Sequence, residues 1–416
     1  MRIKSLNVVN LRAFKQAEFE FMPGMNLMVG VNGVGKTTVL DSLRKSLSKI
    51  IPHTTESLGR KIPFVEEDIR VQSDFMTVEC TFELQDKDFT FFIHKNRESS
   101  VPWDSNNLRE QVLKTPDKEG FNPPFSKSFY NLNMKPANHL GLFFSTRRSL
   151  VSDAIVSKKK AAGGQAGAYA EALVSRELQL AEIANWMHAQ KELGNERPLG
   201  LKHLLALQKA AEHFMPEFKN LRAETSPKPR LIVEKAGTCL DLHQLSDGER
   251  GMFALVLDLA KRLSQANQQL YDPVRDGSAI VLIDEIDLHL HPKWQRTIIK
   301  KLTETFPNCQ FIATTHSPQI IASVKSEQVL LLIDSEVTPS GRTFGMDSNW
   351  ILRHLMEADE RPEESSLAIN EVESLIRDGN FSDARVAITK HRKNRRDLPE
   401  WSVLEARMAR LEVLGE

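Results

Sequence analysis

A glycine-rich stretch near the start of the chain, GVNGVGKTT, constrains the fold more than any other feature. It matches the phosphate-loop pattern G-x-x-x-x-G-K-[ST] through Gly30, Gly35, Lys36 and Thr37. An apolar run precedes the stretch and a helical pattern follows it, which is the strand, loop and helix order that supports this motif. The alternative is a glycine turn before a buried helix. The full match in this context predicts a nucleoside triphosphate site.

The residue types in this loop follow from what a phosphate chain needs. Glycines let successive backbone N–H groups point at phosphate oxygens, and the helix N-terminus adds partial positive charge. Lys36 is predicted to clamp the outer phosphates of ATP, and the Thr37 hydroxyl is predicted to bind Mg2+. The predicted nucleotide contacts of the loop are Asn32, Gly33, Gly35, Lys36, Thr37 and Thr38.

Two acidic residues end a second apolar strand and extend the predicted site. The run IVLIDEIDL places Asp284 and Glu285 at the carboxyl end of a buried strand, the edge where open α/β sheets bind ligands. Asp284 is predicted to hold Mg2+ with Thr37, and Glu285 to position or deprotonate the attacking water. A strand-end acidic pair that caps a helix is the alternative. With the phosphate loop upstream, the pair indicates hydrolysis.

A third motif, LSDGER, lies between the loop and the acidic strand. It resembles the LSGGQ signature of the ATP-binding-cassette (ABC) superfamily, with Asp247 in place of the first glycine and Glu249 in place of the glutamine. Ser246, the Gly248 amide and the helix dipole would form a second anion site, although a helix N-cap explains the motif in isolation equally well. In that superfamily the second site acts on the ATP of the partner subunit. The resemblance therefore implies a homodimer, or a higher homo-oligomer, with composite sites.

Two further positions are interpreted by the same resemblance. His316, in TTHSP, follows another predicted strand, where the superfamily keeps a histidine that contacts the γ-phosphate; a lone histidine is otherwise usually structural. Transporter cassettes end the strand before their helical lobe on a glutamine, whereas HLGLFFSTRR offers Ser145, Arg147 and Arg148. One hypothesis gives Arg147 or Arg148 a phosphate or inter-lobe contact, and the other leaves them in surface salt bridges.

Two more stretches narrow the resemblance. The run DEIDLHLHP differs from the DEPTSALD-like segment of transporters and is similar to the overcoming-lysogenization-defect (OLD) ATPases. The opening MRIKSLNVVNLRAF, with Arg12 in its turn, resembles that group and the RecF and SMC ATPases, and Arg12 joins the predicted nucleotide contacts. In size and layout the chain most resembles the PtuA ATPases of Septu and retron anti-phage systems. The resemblance is specific over residues 1–50, 139–148 and 240–335.

This resemblance implies an ATPase that uses ATP and Mg2+ and gates a separate HNH endonuclease, PtuB-like, during phage infection. DNA or RNA would be contacted through that complex. No H-N-H or D-x-D cluster follows His316, so we expect no nuclease activity from the chain itself. The helical tail is the candidate docking or oligomerisation element, and a simple packing role is its alternative.

The order of predicted elements indicates an α/β fold. We expect an ABC-ATPase head with a mixed or parallel sheet core, an N-terminal antiparallel hairpin layer, a helical insertion and a helical C-terminal tail. The predicted parts are residues 1–148 and 230–350 for the two halves of the head, 149–229 for the insertion and 351–416 for the tail.

Composition limits the partners. The 55 acidic and 55 basic residues cancel, so a polycation that coats nucleic acid is excluded and only local patches remain, at Lys158–Lys160 and Lys390–Arg396. A mobile loop and a solvated helix end are their respective alternatives. Three separated cysteines indicate neither a disulfide framework nor a zinc cluster. A reducing cytoplasm is therefore the expected setting. No stretch approaches the roughly 18 apolar residues of a membrane span, so we expect no membrane partner.

Two rival functions stay open. A RecF- or SMC-like DNA repair or recombination ATPase would act directly on DNA, and stimulation of turnover by duplex DNA without a partner would favour it. A transporter ATPase would couple to a membrane permease, but the missing glutamine, the N-terminal hairpin layout and the run DLHLHP count against it.

Overall fold

The computed structural model describes most of the chain and divides it into two compact units. The described residues are 1–55, 60–97, 108–114, 138–149, 164–196, 198–339, 341, 343–356, 362–393 and 398–414. One unit comprises Met1–Ile351 and the other Leu352–Glu416. The candidate patch Lys158–Lys160 and part of Lys390–Arg396 lie outside the described residues. The finer four-part division of the chain stays a prediction.

Fourteen strands are present among the described residues. They are β1 (Arg2–Leu11), β2 (Phe14–Glu20), β3 (Met25–Val29), β4 (Phe75–Leu84), β5 (Lys87–Asn96), β6 (Leu108–Lys114), β7 (Leu140–Phe144), β8 (Phe218–Glu224), β9 (Arg230–Lys235), β10 (Thr238–Asp241), β11 (Ala279–Ile283), β12 (Gln310–Thr314), β13 (Val329–Ile333) and β14 (Glu336–Pro339).

The helices of the described residues lie mainly in the second half of the chain. They are α1 (Lys36–Thr54), α2 (Gln165–Tyr169), α3 (Leu180–Glu192), α4 (Pro198–Phe214), α5 (Asp247–Ala266), α6 (Pro273–Asp276), α7 (Pro292–Gln295), α8 (Ile298–Thr305), α9 (Pro318–Ile321), α10 (Ser348–Leu355), α11 (Glu363–Arg377), α12 (Phe381–Lys393) and α13 (Glu400–Leu414). None of these helices is both long enough and apolar enough to span a membrane.

A six-stranded sheet positions the predicted site. Its order is β14-β13-β3-β12-β11-β7; β13 and β14 pair antiparallel, and the other neighbours pair in parallel. Every residue of β3, β11 and β12 is buried, as expected for parallel strands that are covered on both faces. Because β3 and β11 are parallel to β12, the phosphate loop and the acidic pair emerge from the same edge.

An antiparallel sheet forms the predicted hairpin layer. Its order is β2-β1-β4-β5-β6, and burial alternates along β4, which leaves one face on the core and one face more exposed. The β4–β5 hairpin turns through Gln85 and Asp86, both with positive φ (50° and 59°), as in the turn type that suits a two-residue hairpin. The expected antiparallel layer is confirmed.

Two details differ from what the sequence suggests. Residues 201–221 have a helical composition, but α4 ends at Phe214 and β8 then pairs with β9. Pro216 explains the break, because proline lacks an N–H and disfavours a helical residue before it. Conversely, Pro52 does not end α1, which continues to Thr54; the bond that proline removes falls in the last turn.

The unit Leu352–Glu416 has its own apolar core. Helices α11, α12 and α13 surround Trp401, which is fully buried. The other buried members are Ala368, Val372, Ile376, Ala384, Ala387, Ile388, Leu404 and Met408. The His391 ring stacks on Trp401 at 5.8 Å between ring centroids, and its Nε2 lies 3.0 Å from Glu371 Oε2.

Candidate active site

The glycines of the phosphate loop allow close backbone approaches that a larger residue would block. A Cβ on Gly30 would lie 2.5 Å from the Leu332 carbonyl oxygen. A Cβ on Gly35 would lie 2.4 Å from the Phe14 ring, and Gly35 also has φ of +106°. The loop is therefore packed against β13 at Gly30 and against β2 at Gly35.

Lys36 is a buried cation at the start of α1. Its ammonium donates to the carbonyl oxygens of Gly30 at 2.7 Å and Val31 at 2.8 Å, and the residue is only 7% exposed. Burial lowers the pKa of Lys36, while the carboxylates of Asp284 and Glu285 act in the opposite direction. Because the loop curls around this ammonium, Lys36 stands where phosphate oxygens bind in such loops.

Thr37 and Asp284 lie together at the carboxyl edge of the sheet. Thr37 Oγ1 is 3.4 Å from Asp284 Oδ1, and Thr314 Oγ1 donates to the same carboxylate oxygen at 2.8 Å. A hydroxyl and a carboxylate are hard oxygen donors of the kind that Mg2+ prefers, usually beside phosphate oxygens and water. The donor set and the neighbouring loop therefore fit a magnesium nucleotide.

Glu285 occupies an unusual backbone conformation. Its φ is +49°, a left-handed value that costs a non-glycine residue about 1–2 kcal/mol. Two bonds to Thr314 hold this conformation: the Glu285 N–H donates to Thr314 Oγ1 at 2.7 Å, and the Ile286 N–H donates to the Thr314 carbonyl at 2.9 Å. A conformation determined this fully at the end of a strand is typical of a functional position.

Thr314 is a candidate site residue that the sequence did not single out. Its hydroxyl donates to Asp284 and accepts from the Glu285 amide, so one side chain orients both acidic residues. The signal was available, because Thr314 ends β12 next to Thr315 and His316. Nothing in the sequence, however, showed which of the two threonines faces β11.

His316 shares the electrostatic neighbourhood of these groups. Asp287 Oδ1 accepts from Thr315 Oγ1 at 2.6 Å and from the His316 backbone N–H at 3.4 Å, which fixes the turn that carries the imidazole. Burial lowers the pKa of His316, and the positive charge of Lys36 lowers it further. The neutral imidazole is therefore favoured near neutral pH.

Arg148 approaches the acidic pair from the backbone side. Its guanidinium donates to the carbonyl oxygens of Asp284 and Glu285, and it is 5% exposed. Arg147 is exposed. Arg148 is therefore not in a surface salt bridge. The sequence did not indicate that this arginine reaches the residues that follow β11.

The signature-like turn lies at the N-terminus of α5. Ser246 caps the helix in a capping box with Glu249: the Ser246 hydroxyl donates to Glu249 Oε2 at 2.8 Å and accepts from the Glu249 N–H at 3.4 Å. Lys235 also binds the Glu249 carboxylate, at 2.7 Å. Within the described residues, neither Ser246 nor Gly248 is hydrogen-bonded to the phosphate loop of its own chain.

The remaining predicted contacts are distributed around the loop. Asn32 and Gly33 are exposed at its tip, and Thr38 is half-buried. The Arg12 guanidinium forms salt bridges with Asp68 at 2.6 Å and with Asp41 at 3.0 Å, so two carboxylates hold it beside α1. The structure thus brings together Lys36, Thr37, Asp284, Glu285 and His316, while a nucleotide contact for Arg12 stays a prediction.

Comparisons with known proteins identify a family and relatives of this chain. The family model described as "AAA domain, putative AbiEii toxin, Type IV TA system" matches residues 25–322. A Retron Vc95 probable ATPase from Vibrio cholerae serotype O1 biovar El Tor is 28% identical, with 95% of this chain and 87% of that protein covered. The Septu protein PtuA of Bacillus thuringiensis is 24% identical, with 80% of this chain and 76% of that protein covered.

The structural comparison concerns the fold alone. The crystal structure of the SmcHead bound to the C-winged helix domain of ScpA matches with a TM-score of 0.50 at 14% identity, and the match covers 81% of this chain and 98% of that one. The expected α/β ABC-ATPase head is confirmed by this match and by the sheets described above. The family match covers most of the chain, and the chain therefore belongs to the family of AAA domains described as putative AbiEii toxins of type IV toxin–antitoxin systems, as an ABC-type ATPase that resembles PtuA.

Proposed function

We propose that this ATPase binds ATP and Mg2+ in a head-to-tail homodimer and that closure of the dimer gates a separate HNH nuclease in anti-phage defence. The observation that carries the proposal is the convergence of Thr37, Asp284 and Glu285 beside the phosphate loop, with Thr314 bonded to both acidic residues. The similarity to retron and Septu ATPases over most of the chain supports the biological context.

Each side chain has a separate task in the proposed reaction. The loop amides of residues 32–38 and the Lys36 ammonium bind the phosphate chain. Thr37 and Asp284 would hold Mg2+, which when bound supplies positive charge to the phosphate oxygens. Glu285 accepts a proton from the attacking water, and the neutral His316 donates a hydrogen bond towards the γ-phosphate.

Dimer closure follows from where the signature-like turn lies. Ser246 and Gly248 lie at the N-terminus of α5 and, among the described residues, make no hydrogen bond to the phosphate loop of their own chain, so the proposed second anion site serves the partner subunit. ATP contacted from both sides would favour the closed state over the open one by its extra contacts there. Closure is the two-state element that a bound nuclease would sense.

The partner nuclease and its target belong to the same proposal. The names of the relatives, a Septu protein and retron ATPases, support a role in a defence system, in which we propose that the nuclease is a separate component and that both work in the cytoplasm. The compact unit Leu352–Glu416 is the candidate docking element, and DNA or RNA is contacted through the complex. The chain itself is proposed to carry no nuclease activity.

The test compares purified wild-type protein with the Glu285→Gln variant, with and without ATP. The exposed residue Glu304, changed to Gln, provides the matched control. We expect Glu285→Gln to lower turnover by at least about 100-fold and to accumulate as an ATP-dependent dimer or larger assembly, while Glu304→Gln behaves as wild type. A Glu285→Gln protein that stays monomeric and still hydrolyses ATP would contradict the mechanism.

A second arm addresses the DNA-repair alternative. Turnover is measured with duplex DNA and with the HNH partner, each added alone. We expect the partner to bind and DNA alone to have no effect. Stimulation of turnover by duplex DNA without any partner would favour direct action on DNA instead.

A further inference from the structure

Arg148 is a buried cation of the site, and within the described residues its guanidinium hydrogen-bonds only to backbone carbonyl oxygens. Its Nη1 donates to the Asp284 carbonyl at 2.5 Å and to the Ser145 carbonyl at 3.2 Å, and its Nη2 donates to the Glu285 carbonyl. The short 3-10 turn Thr146–Ser149, directly after β7, carries this side chain. Because β7 pairs in parallel with β11, the turn and the acidic pair leave the sheet side by side.

The two carbonyls that Arg148 binds belong to the peptide groups on either side of the Glu285 Cα. Glu285 has φ of +49°, a conformation that non-glycine residues keep only where their surroundings fix it. Thr314 fixes it from the N–H side, through the amides of Glu285 and Ile286. Arg148 fixes it from the carbonyl side, so both peptide groups are held at once.

A guanidinium suits this task because it is planar and presents parallel N–H donors. A lysine ammonium is a single point charge and does not reproduce that fork. The positive charge of Arg148 also lies among three carboxylates, those of Asp284, Asp287 and Glu285. It therefore offsets their mutual repulsion while it orients the backbone between them.

We propose that Arg148 is a positioning residue for ATP hydrolysis: it aims the Glu285 carboxylate by holding the carbonyl groups of Asp284 and Glu285, and it does not bind phosphate. This inference rests on the proposed role of Glu285 as general base. Loss of Arg148 would leave ATP bound and Glu285 present, but the carboxylate would sample directions that do not face the attacking water.

The experiment uses the full chain and four variants. Arg148→Lys keeps the buried charge without the fork, Arg148→Gln removes the charge, Arg147→Gln changes the exposed neighbour, and Glu285→Gln reports on the proposed base. Turnover is measured as kcat and KM, and the dissociation constant of a fluorescent ATP analogue is measured by direct titration. Amide hydrogen exchange of the nucleotide-free protein is followed at residues 284–288.

We expect Arg148→Lys to lower kcat by about tenfold or more, with KM and the analogue dissociation constant within about threefold of wild type, the pattern of an interaction used only in the chemical step. Arg147→Gln should match wild type in kcat, in KM and in the dissociation constant of the analogue. In the nucleotide-free Arg148→Lys protein, the Ile286 amide should exchange faster than in wild type, while β3 amides stay protected. A purely structural role would not separate kcat from KM in this way.

Several results would overturn the inference. Unchanged kcat in Arg148→Lys, alongside an inactive Glu285→Gln, would reject the positioning role and leave the proposed function standing. An analogue dissociation constant raised about tenfold or more would make Arg148 a phosphate contact instead. Full turnover in Glu285→Gln would reject the proposed function itself, and the inference with it. If Arg148→Gln does not fold, Arg148→Lys decides.

Discussion

Gly248, in the signature-like turn, lies against the backbone of the segment that follows Asp284 and Glu285. A Cβ at this position would come within 2.3 Å of the His289 carbonyl oxygen. We expect Gly248→Ala to force the N-terminus of α5 away from His289 and to lower the free energy of unfolding by about 2 kcal/mol, in the range of other overpacking substitutions. Chemical denaturation of the nucleotide-free protein measures this change.

The same helix provides the control. Gly251 has no atom within 4 Å of its added Cβ, so Gly251→Ala gains helix propensity without a clash and should raise stability by about 0.5 kcal/mol. Opposite signs for the two substitutions are the expected outcome. Equal changes in the free energy of unfolding would show that the close approach of Gly248 to His289 does not require glycine at position 248.

The site could be predicted from the sequence where a short motif identifies the residues and their chemistry. Lys36 and Thr37 follow the loop after β3, Asp284 and Glu285 follow β11, and a parallel sheet brings the segments after its strands to one edge. For Arg148, near the place of the missing glutamine, the sequence left open a phosphate or inter-lobe contact and a surface salt bridge. The contact of Arg148 with two backbone carbonyls depends on which strands are neighbours and on a side-chain direction, and neither is encoded by spacing along the chain.

At the scale of the element, α5 is held by a buried ionic network in its middle. Asp258 is 3% exposed and accepts from Arg176 at 2.8 Å and from Arg262 at 2.9 Å. Arg262 also donates to the carbonyls of Ala168 and Ala170. A single carboxylate therefore links α5 to the chain around α2 and to Arg176.

Removing that carboxylate should be costly. In Asp258→Asn, the buried cations lose the charge that compensates them, and we expect the free energy of unfolding at pH 7 to fall by about 3–5 kcal/mol. The exposed Asp276, changed to Asn, should shift it by no more than about 0.5 kcal/mol. A comparable loss in both variants would contradict a special role for Asp258.

The same network predicts a pH dependence. Burial alone would raise the pKa of Asp258, but Arg176, Arg262 and Lys261 outweigh burial and lower it below its usual range. Because the pKa of Asp258 is lower in the folded than in the unfolded chain, its ionised carboxylate stabilises the fold at pH values above the unfolded pKa of about 3.9. This stabilisation is lost as the pH falls towards the folded pKa. The stability gap between wild type and Asp258→Asn should therefore narrow below about pH 4. Urea titrations at pH 7, 4 and 3 measure that gap.

Elements were predictable where one local signal dominated. The strand β3, the loop and α1 were predicted correctly because the apolar run, the glycines and the helical pattern all indicate the same strand, loop and helix order. The strand β8 was not predictable, since the composition of residues 201–221 favours a helix and pairing with β9 overrides it. That pairing is a tertiary contact, and such contacts decide short segments of mixed propensity.

At the scale of the whole molecule, the chain contains two units, and the smaller one has a core made of its own residues. Trp401 is fully buried in the unit Leu352–Glu416. A unit of this size is only marginally stable, and tryptophan truncation in a core costs about 3–5 kcal/mol. We expect Trp401→Ala to unfold this unit while the larger unit keeps its fold, because the core of the larger unit contains none of these residues.

Amide hydrogen exchange distinguishes the two units, and Val403 on the same helix gives a matched control, since it is 68% exposed. In Trp401→Ala, peptides from α11–α13 should exchange rapidly while β3 and β11 stay protected, and Val403→Ala should exchange as wild type does. If the smaller unit is the docking element, the Trp401→Ala protein should retain ATP turnover and lose binding of the HNH partner. Loss of protection in β3 and β11 as well would mean that the two units fold cooperatively. If the Trp401→Ala protein still binds the partner although α11–α13 are unfolded, the docking surface lies on the larger unit.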